Sequence, residues 1–340
     1  MTKMTRIALA ALAVMGATTA MAQSSVTLYG RINTTVERQK IGNESVTGMQ
    51  NNASRWGIRG TEDLGGGLKA GFALESGFNS DTGTASGWPG IPQSAGLNFG
   101  RQSEVNLSSA SFGMLRLGNF VPESYYASAD YVSMHNHDTG SSSDALYQDP
   151  VWFGGLGTKN KIGYRTPNMG GLTVDASVSL HEKDPTLNYE KNGYDLAANY
   201  NTGPVHLGAG YSRVGADWQA SLRGLYTFGQ FTVGGYYQRS HQDSTRLGWM
   251  NGNRNNFRLS GMYTLGASEF HVNVGRAGKW GDVANSSATQ WTLGYNYNLS
   301  KRTKVYGYYT KVNNSSGAAY MTGVAGADFS SFALGVRHNF

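Results

Sequence analysis

Leu172-Thr173-Val174-Asp175-Ala176-Ser177-Val178-Ser179-Leu180 places an apolar side chain at every second position, with polar ones between. Successive residues of an extended strand point to opposite faces, so this stretch has one apolar and one polar face. The pattern recurs along the chain. Val205, Leu207, Ala209 and Tyr211 alternate with His206, Gly208, Gly210 and Ser212. Phe257, Leu259, Gly261, Tyr263 and Leu265 alternate with Arg258, Ser260, Met262 and Thr264, and Trp291, Leu293, Tyr295, Tyr297 and Leu299 with Thr292, Gly294, Asn296 and Asn298. A period of two, with no sustained period of 3.6, predicts an all-β chain.

Charge then separates the two faces. An Arg or Lys facing lipid costs roughly 2–4 kcal/mol at the bilayer midplane. Asp175 and Arg258 lie opposite their apolar sets; Lys69 and Glu75 oppose Leu68, Ala70, Phe72 and Leu74; Arg223 opposes Ala220, Leu222 and Tyr226; Arg337 opposes Phe332, Leu334 and Val336. A soluble sandwich would alternate in the same way, so the count and the connections have to decide. Strands are predicted near 26–38, 53–62, 67–78, 97–108, 113–120, 160–167, 171–182, 190–201, 204–214, 217–228, 230–241, 254–265, 268–278, 287–299, 303–313 and 328–340. Most reach the roughly 9–11 residues that cross a bilayer as a tilted strand. Their number is even, as in bacterial outer-membrane barrels.

The connections alternate in length. Asp63–Gly66, Ser109–Phe112, Pro167–Gly170, Asn201–Gly203, Gly229, Gly266–Ala267 and Ser300–Arg302 are short and rich in turn formers. The other set, 39–52, 79–96, 121–159, 183–189, 242–253, 279–286 and 314–327, is mostly long, and only 215–216 is brief. Short turns at one end and long loops at the other mark a transmembrane antiparallel β-barrel of sixteen strands, closed so that no edge is left unpaired. Phe340, on the parity of Phe332, Leu334 and Val336, fits an interfacial aromatic girdle, as do Tyr194, Tyr200, Phe228 and Trp291.

Composition agrees. The 340 residues hold 47 Gly, 20 Tyr, 7 Pro and no Cys, and only 39% are hydrophobic. Mean hydropathy is −0.40, as expected where each strand needs only one apolar face. No disulfide can hold the chain. At the N-terminus Lys3 and Arg6 precede the uncharged run Ile7–Ala22, which ends Ala20-Met21-Ala22. That is the form of a secretory signal peptide over residues 1–22, leaving 23–340 as one barrel domain. The formal net charge of +6, two of it from Lys3 and Arg6, includes no Lys/Arg block suited to nucleic acid.

Several stretches, in order, resemble the Gram-negative general-diffusion porin family in its betaproteobacterial branch. These are Ser24-Ser25-Val26-Thr27-Leu28-Tyr29-Gly30; the long run from Ser54-Arg55-Trp56-Gly57-Ile58-Arg59-Gly60-Thr61-Glu62-Asp63 through Leu64-Gly65-Gly66-Gly67-Leu68-Lys69-Ala70; Phe112-Gly113-Met114-Leu115-Arg116-Leu117-Gly118; Asn298-Leu299-Ser300-Lys301-Arg302-Thr303; and Gly335-Val336-Arg337-His338-Asn339-Phe340. The resemblance implies a homotrimer in the outer membrane of a Gram-negative bacterium, among its lipids and lipopolysaccharide, with both chain ends periplasmic. It also implies that the third extracellular loop folds into the barrel and narrows it. That loop is about Val121–Lys159, the longest here, and long ordered loops are usually functional. One departure stands out: the Gly-Arg-Gln that follows the family's fifth strand reads Gly118-Asn119-Phe120, leaving Arg116 on the lumen parity as the substitute arginine.

A diffusion pore needs no nucleophile and no cofactor. It needs a wet constriction that sorts solutes by size and charge. The expected basic wall is Arg31, Arg55, Arg59 and Arg116, with Lys69, Arg165, Arg223, Arg258 and Arg337 as further lumen cations; the constriction loop brings Glu123, Asp130, Asp138, Asp144 and Asp149. The basic excess suggests a weak anion preference in passive diffusion of ions and small hydrophilic solutes. A substrate-selective channel on the same fold is the alternative, and a barrel enzyme a more distant one, since no G-x-S-x-G elbow or other catalytic set stands out. His135-x-His137 lacks a third ligand, so no metal site is expected. Gly65-Gly66-Gly67 lacks the G-x-x-x-x-G-K pattern and reads as a turn.

Overall fold

The computed structural model describes residues 24–86, 99–130, 145–153, 159–183, 191–243 and 249–340. The expected signal segment, and with it residue 23, lies outside the described residues. The strand segments begin with β1 (Ser25–Ile41), β2 (Glu44–Asn51), β3 (Arg55–Gly65), β4 (Leu68–Phe78), β5 (Ala85–Ser86) and β6 (Gln102–Ser109). They continue with β7 (Gly113–Asn119), β8 (Lys161–Arg165), β9 (Leu172–Ser179), β10 (Gly193–Thr202), β11 (Val205–Val214) and β12 (Asp217–Phe228). The last are β13 (Phe231–Gln242), β14 (Gly252–Leu265), β15 (Ser268–Ala277), β16 (Ala288–Asn298), β17 (Thr303–Asn314) and β18 (Phe329–Asn339).

Sequential strands pair antiparallel, and β18 returns to β1 in register from Arg31↔Asn339 to Ile41↔Phe329. The sheet therefore closes. β2 and β3 form a single stave: β1 pairs with β2 from Ile41↔Glu44 to Thr34↔Asn51, and with β3 from Arg31↔Arg55 to Ser25↔Thr61. β5 is a two-residue addition to β4. The result is a closed barrel of 16 strands.

One connection differs from expectation. The segment 39–52, expected as a long loop, is mostly strand, because β1 runs on to Ile41 and β2 starts at Glu44. Gly42 takes φ +55° in the turn, a conformation that costs glycine nothing. A two-residue turn lets the backbone groups on both sides pair with each other, where a loop would leave them to solvent.

The two faces have the polarity that the alternation predicted. Leu222, Leu259 and Leu293 point outward and are more than half exposed, whereas Asn33, Gln219, Gln238, Asn256, Asn273 and Gln290 point inward and are buried. Such an expanse of outward Leu, Val and Phe exceeds what a soluble monomer exposes, typically a patch of a few hundred Å². Around the turn end an aromatic belt crosses neighbouring strands. Phe228 meets Phe231 at 5.6 Å between ring centroids, Phe231 meets Tyr263 at 4.7 Å, and Phe270 meets Tyr295 at 5.1 Å. Phe228↔Phe231, Phe231↔Tyr263, Tyr263↔Phe270 and Phe270↔Tyr295 are direct register partners. A band of aromatic rings at one level, with the Tyr263 and Tyr295 hydroxyls among them, fits a membrane–water boundary.

Candidate functional site

Past β7, the described residues 120–130 stay against the inner wall of the barrel. Gly118, at φ +132°, sits where a Cβ would strike the Ser103 carbonyl. Asn119 Nδ2 donates to the carbonyls of Phe99 and Gly100. The chain then makes a helical turn, Glu123–Tyr125, that widens into a π-turn, Tyr126–Asp130. These turns lie on the lumen faces of β10, β11 and β12. Two glycines of β11 make the approach possible. A Cβ on Gly208 would collide with the Ala127 carbonyl, and one on Gly210 would stand 2.7 Å from the Ser124 carbonyl.

Polar contacts fasten the loop to the wall. The Ser124 backbone N–H and hydroxyl both donate to the Asp195 carboxylate on β10. Ser212 on β11 donates to Asp149 at 2.8 Å, and the Trp152 N–H reaches the same oxygen at 3.1 Å. Gln238 on β13 donates to the Gln148 carbonyl at 2.6 Å. Arg254 and Asn256 on β14 donate to the Leu146 carbonyl at 2.8 and 3.0 Å. An aromatic cluster fills the space behind: Val121, Tyr125, Ala129, Tyr147 and Trp152 pack on Leu225 and Tyr236 of the wall, with the Tyr125 and Trp152 ring centroids 3.8 Å apart. Burial, with Asp149 nearby, pushes the Tyr147 phenol well above its ordinary range, so it stays neutral against Ser128.

A second cluster joins the loop to the barrel rim. The Leu146 side chain is fully buried among Met250, Ala277, Trp280, Val312, Ala318, Tyr320 and Phe329. These come from the connections after β13, β15 and β17 and from adjoining strand ends. Arg254 closes the cluster: Nη1 donates to the Tyr320 hydroxyl at 2.6 Å, and the guanidinium lies 4.8 Å from the Trp280 ring centroid.

The predicted acids are placed unevenly. Glu123 is ion-paired with Arg116 at 2.5 Å and with Arg165 at 2.9 Å. Arg116 also binds Glu104 at 2.6 Å, and Arg165 binds Asp175 at 2.6 Å. Asp149 is 1% exposed and occupied by its hydrogen bonds. Asp138, Asp144 and the pair His135 and His137 lie outside the described residues, as does the side chain of Asp130. Among the described residues no three His, Asp or Glu side chains are grouped to hold a metal ion.

The predicted cations fall into three sets. Arg31 and Arg55 are direct cross-strand partners on β1 and β3. Arg59 shares their parity and lies 5.0 Å from the Tyr29 ring centroid. Arg337 on β18 pairs in register with Asn33 on β1 and with Lys304 on β17. Lys304 lies within electrostatic range of Arg337, Glu269 and Arg31. A basic arc thus crosses the four consecutive staves β3, β1, β18 and β17, with Glu75 alongside, 3.7 Å from Arg55 and 2.7 Å from Arg101. Arg116 and Arg165 form the second set, at the root of the loop, where Arg116 lies over the Phe120 ring at 4.0 Å and Lys161 at 4.7 Å. Arg116 therefore stands apart from Arg31, Arg55 and Arg59. Arg223 and Arg258 form the third, buried in the wall against Asn199 and the Leu207 carbonyl and against Asn273 and Gln290. Lys69 is exposed, next to the turn between β3 and β4.

Arg101, Lys161, Asp195, Arg254 and Lys304 were not predicted. Lys304 and Arg254 had a usable signal, being on the lumen parity of their strands; Arg101 precedes β6 and has no parity. By strand order, β11, which carries the loop, is the ninth stave from β1 and so faces the middle of the basic arc across the barrel.

Residues 8–318 match a family model described as Gram-negative porin. The chain is 32% identical over 378 residues to outer membrane porin protein 32 of Delftia acidovorans, covering 99% of this chain and 100% of that one. It is 28% identical to an outer membrane porin protein of Bordetella pertussis over 94% of this chain and 96% of the other. Among solved structures it superposes on the anion-selective porin from Comamonas acidovorans with a TM-score of 0.73 at 28% identity, covering 94% of this chain and 100% of that one.

Proposed function

The chain belongs to the Gram-negative porin family, and from that premise we propose that its basic arc and infolded loop form the two sides of an anion-preferring constriction. As an outer-membrane porin it provides passive diffusion through a water-filled barrel. The constriction is the finer step. The observation that carries it is the arc itself: Arg31, Arg55, Arg337 and Lys304 on adjacent staves, opposite a loop whose Glu123 is held in ion pairs with Arg116 and Arg165. Rings of cations favour anions by lowering the electrostatic barrier to their entry. The anion selectivity named for the Comamonas structure points the same way.

The long loops would face outward and the chain ends the periplasm, in a homotrimer surrounded by lipid and lipopolysaccharide. Transport would be the whole activity, with no bond made or broken. Reversal potentials under a potassium chloride gradient test the constriction. The native channel should favour chloride, and the combined R31Q, R55Q and R337Q variant should lose most of that preference. An unchanged permeability ratio would remove the arc from the selectivity mechanism.

A further inference from the structure

Arg59 differs from the other cations of the basic wall in what it touches. Arg55 is ion-paired with Glu75, Arg116 with Glu104 and Glu123, and Arg31 donates to Asn339 at 3.2 Å. Arg59 is exposed, and among the described residues it makes no hydrogen bond and no ion pair. Its guanidinium lies over the Tyr29 ring instead, 5.0 Å from the centroid. β3 runs from Arg55 toward the turn that precedes β4, so Arg59 lies on the turn side of the basic arc.

The local sequence builds this arrangement. Tyr29 on β1 is the direct partner of Gly57 on β3. A Cβ on Gly57 would come within 2.7 Å of the Tyr29 Cζ, so the missing side chain lets the ring lie against the β3 backbone. The Tyr29 hydroxyl faces the Glu75 carboxylate, and the ring stands within electrostatic range of both Arg59 and Arg55. Those two arginines flank Gly57 along β3, one on each side of the ring. The other lumen neighbours of Arg59 are small. Thr27 and Ala73 are its direct partners on β1 and β4, and Thr61 follows it on β3. One face of the guanidinium is held by Tyr29, and the other is open to the lumen.

The chemistry of that open face decides what fits. A guanidinium is planar, weakly hydrated and stacks on aromatic faces. Held on one ring, it offers a second stacking face to a solute. A planar aromatic solute gains a cation–π contact there that a saturated ring of the same size cannot make. Arg55, on the far side of Tyr29, adds charge-assisted hydrogen bonds for a carboxylate on the same solute. The neighbouring acids are engaged elsewhere: Glu75 with Arg101 and Arg55, and Glu104, opposite Ala73 in register, with Arg116.

We infer that Arg59 and Tyr29 form a stacking subsite for aromatic carboxylates. The solute's ring lies on the open face of Arg59, and its carboxylate meets Arg55. The subsite presupposes the anion-preferring constriction and gives it a solute class.

Chloride current through single channels in planar bilayers, recorded with added benzoate, cyclohexanecarboxylate or benzamide, tests the subsite. Benzoate should block at about fivefold lower concentration than cyclohexanecarboxylate, the size of a solvent-exposed cation–π contact. Benzamide, which lacks the charge, should block least. R59K keeps the charge and removes the planar face, and Y29L removes the ring that holds it. Each should bring the two carboxylates close to equal potency. The comparison is made within each variant, so a general change in anion preference cancels. Equal block by the two carboxylates in the native channel, or an undiminished difference in either variant, would overturn the subsite. A native channel that prefers potassium would instead overturn the constriction, which the reversal potential reports separately.

Discussion

Single residues decide where the loop can lie. Gly208 and Gly210 are the clearest case, since any side chain there would occupy the space of the Ala127 and Ser124 backbone. G208V should lift the loop off the wall into the lumen and lower single-channel conductance, while the barrel still folds. Arg116 makes a different point. It is 8% exposed and serves two carboxylates. Removing one member of a buried ion-pair network leaves uncompensated charge and typically costs about 3–5 kcal/mol. R116M should lower the unfolding temperature of the detergent-solubilised barrel, and the double variant R116M and E123Q should recover part of the loss, as a double-mutant cycle would show. The lumen parity of Arg116 was legible in the sequence. Its partners were not, because Glu123 arrives from a loop whose course no local pattern specifies, and Glu104 comes from register pairing with β6.

At the scale of elements, the strands were the readable part. A period of two needs only neighbouring residues to be seen, and bilayer thickness fixes strand length, so most predicted bounds fall within a few residues of those observed. The exception, 39–52, lacked a long alternating run, yet its backbone pairs as a hairpin. The loop beyond β7 was legible as long and special, but its anchor at Leu146 was not. That residue is held by segments far along the chain, from Met250 to Phe329, through Arg254 and the cluster around Trp280. Leu146→Ala should cost about 2–5 kcal/mol of local packing. The expected readout is faster proteolysis within the loop and noisier open-channel current, with the barrel's own unfolding little changed. Current noise equal to that of the native channel would show that the polar contacts of Asp149 and Gln148 hold the loop by themselves.

For the whole molecule, closure of β18 on β1 leaves no unpaired edge, and the buried polar interior with an apolar exterior suits a barrel surrounded by lipid and filled with water. The lumen is uneven in charge: a basic arc on one side, and on the other a loop anchored by buried hydrogen bonds. In the proposed constriction the sign and strength of ion selection follow from that arrangement, and passage itself depends on the lumen being open. Single-channel recording in planar bilayers measures both at once. The expected result is conductance proportional to bulk salt, inserted in groups of three equal steps, with a zero-current potential of anion-selective sign under a potassium chloride gradient. A barrel that inserts but passes no current would contradict an open water-filled pore.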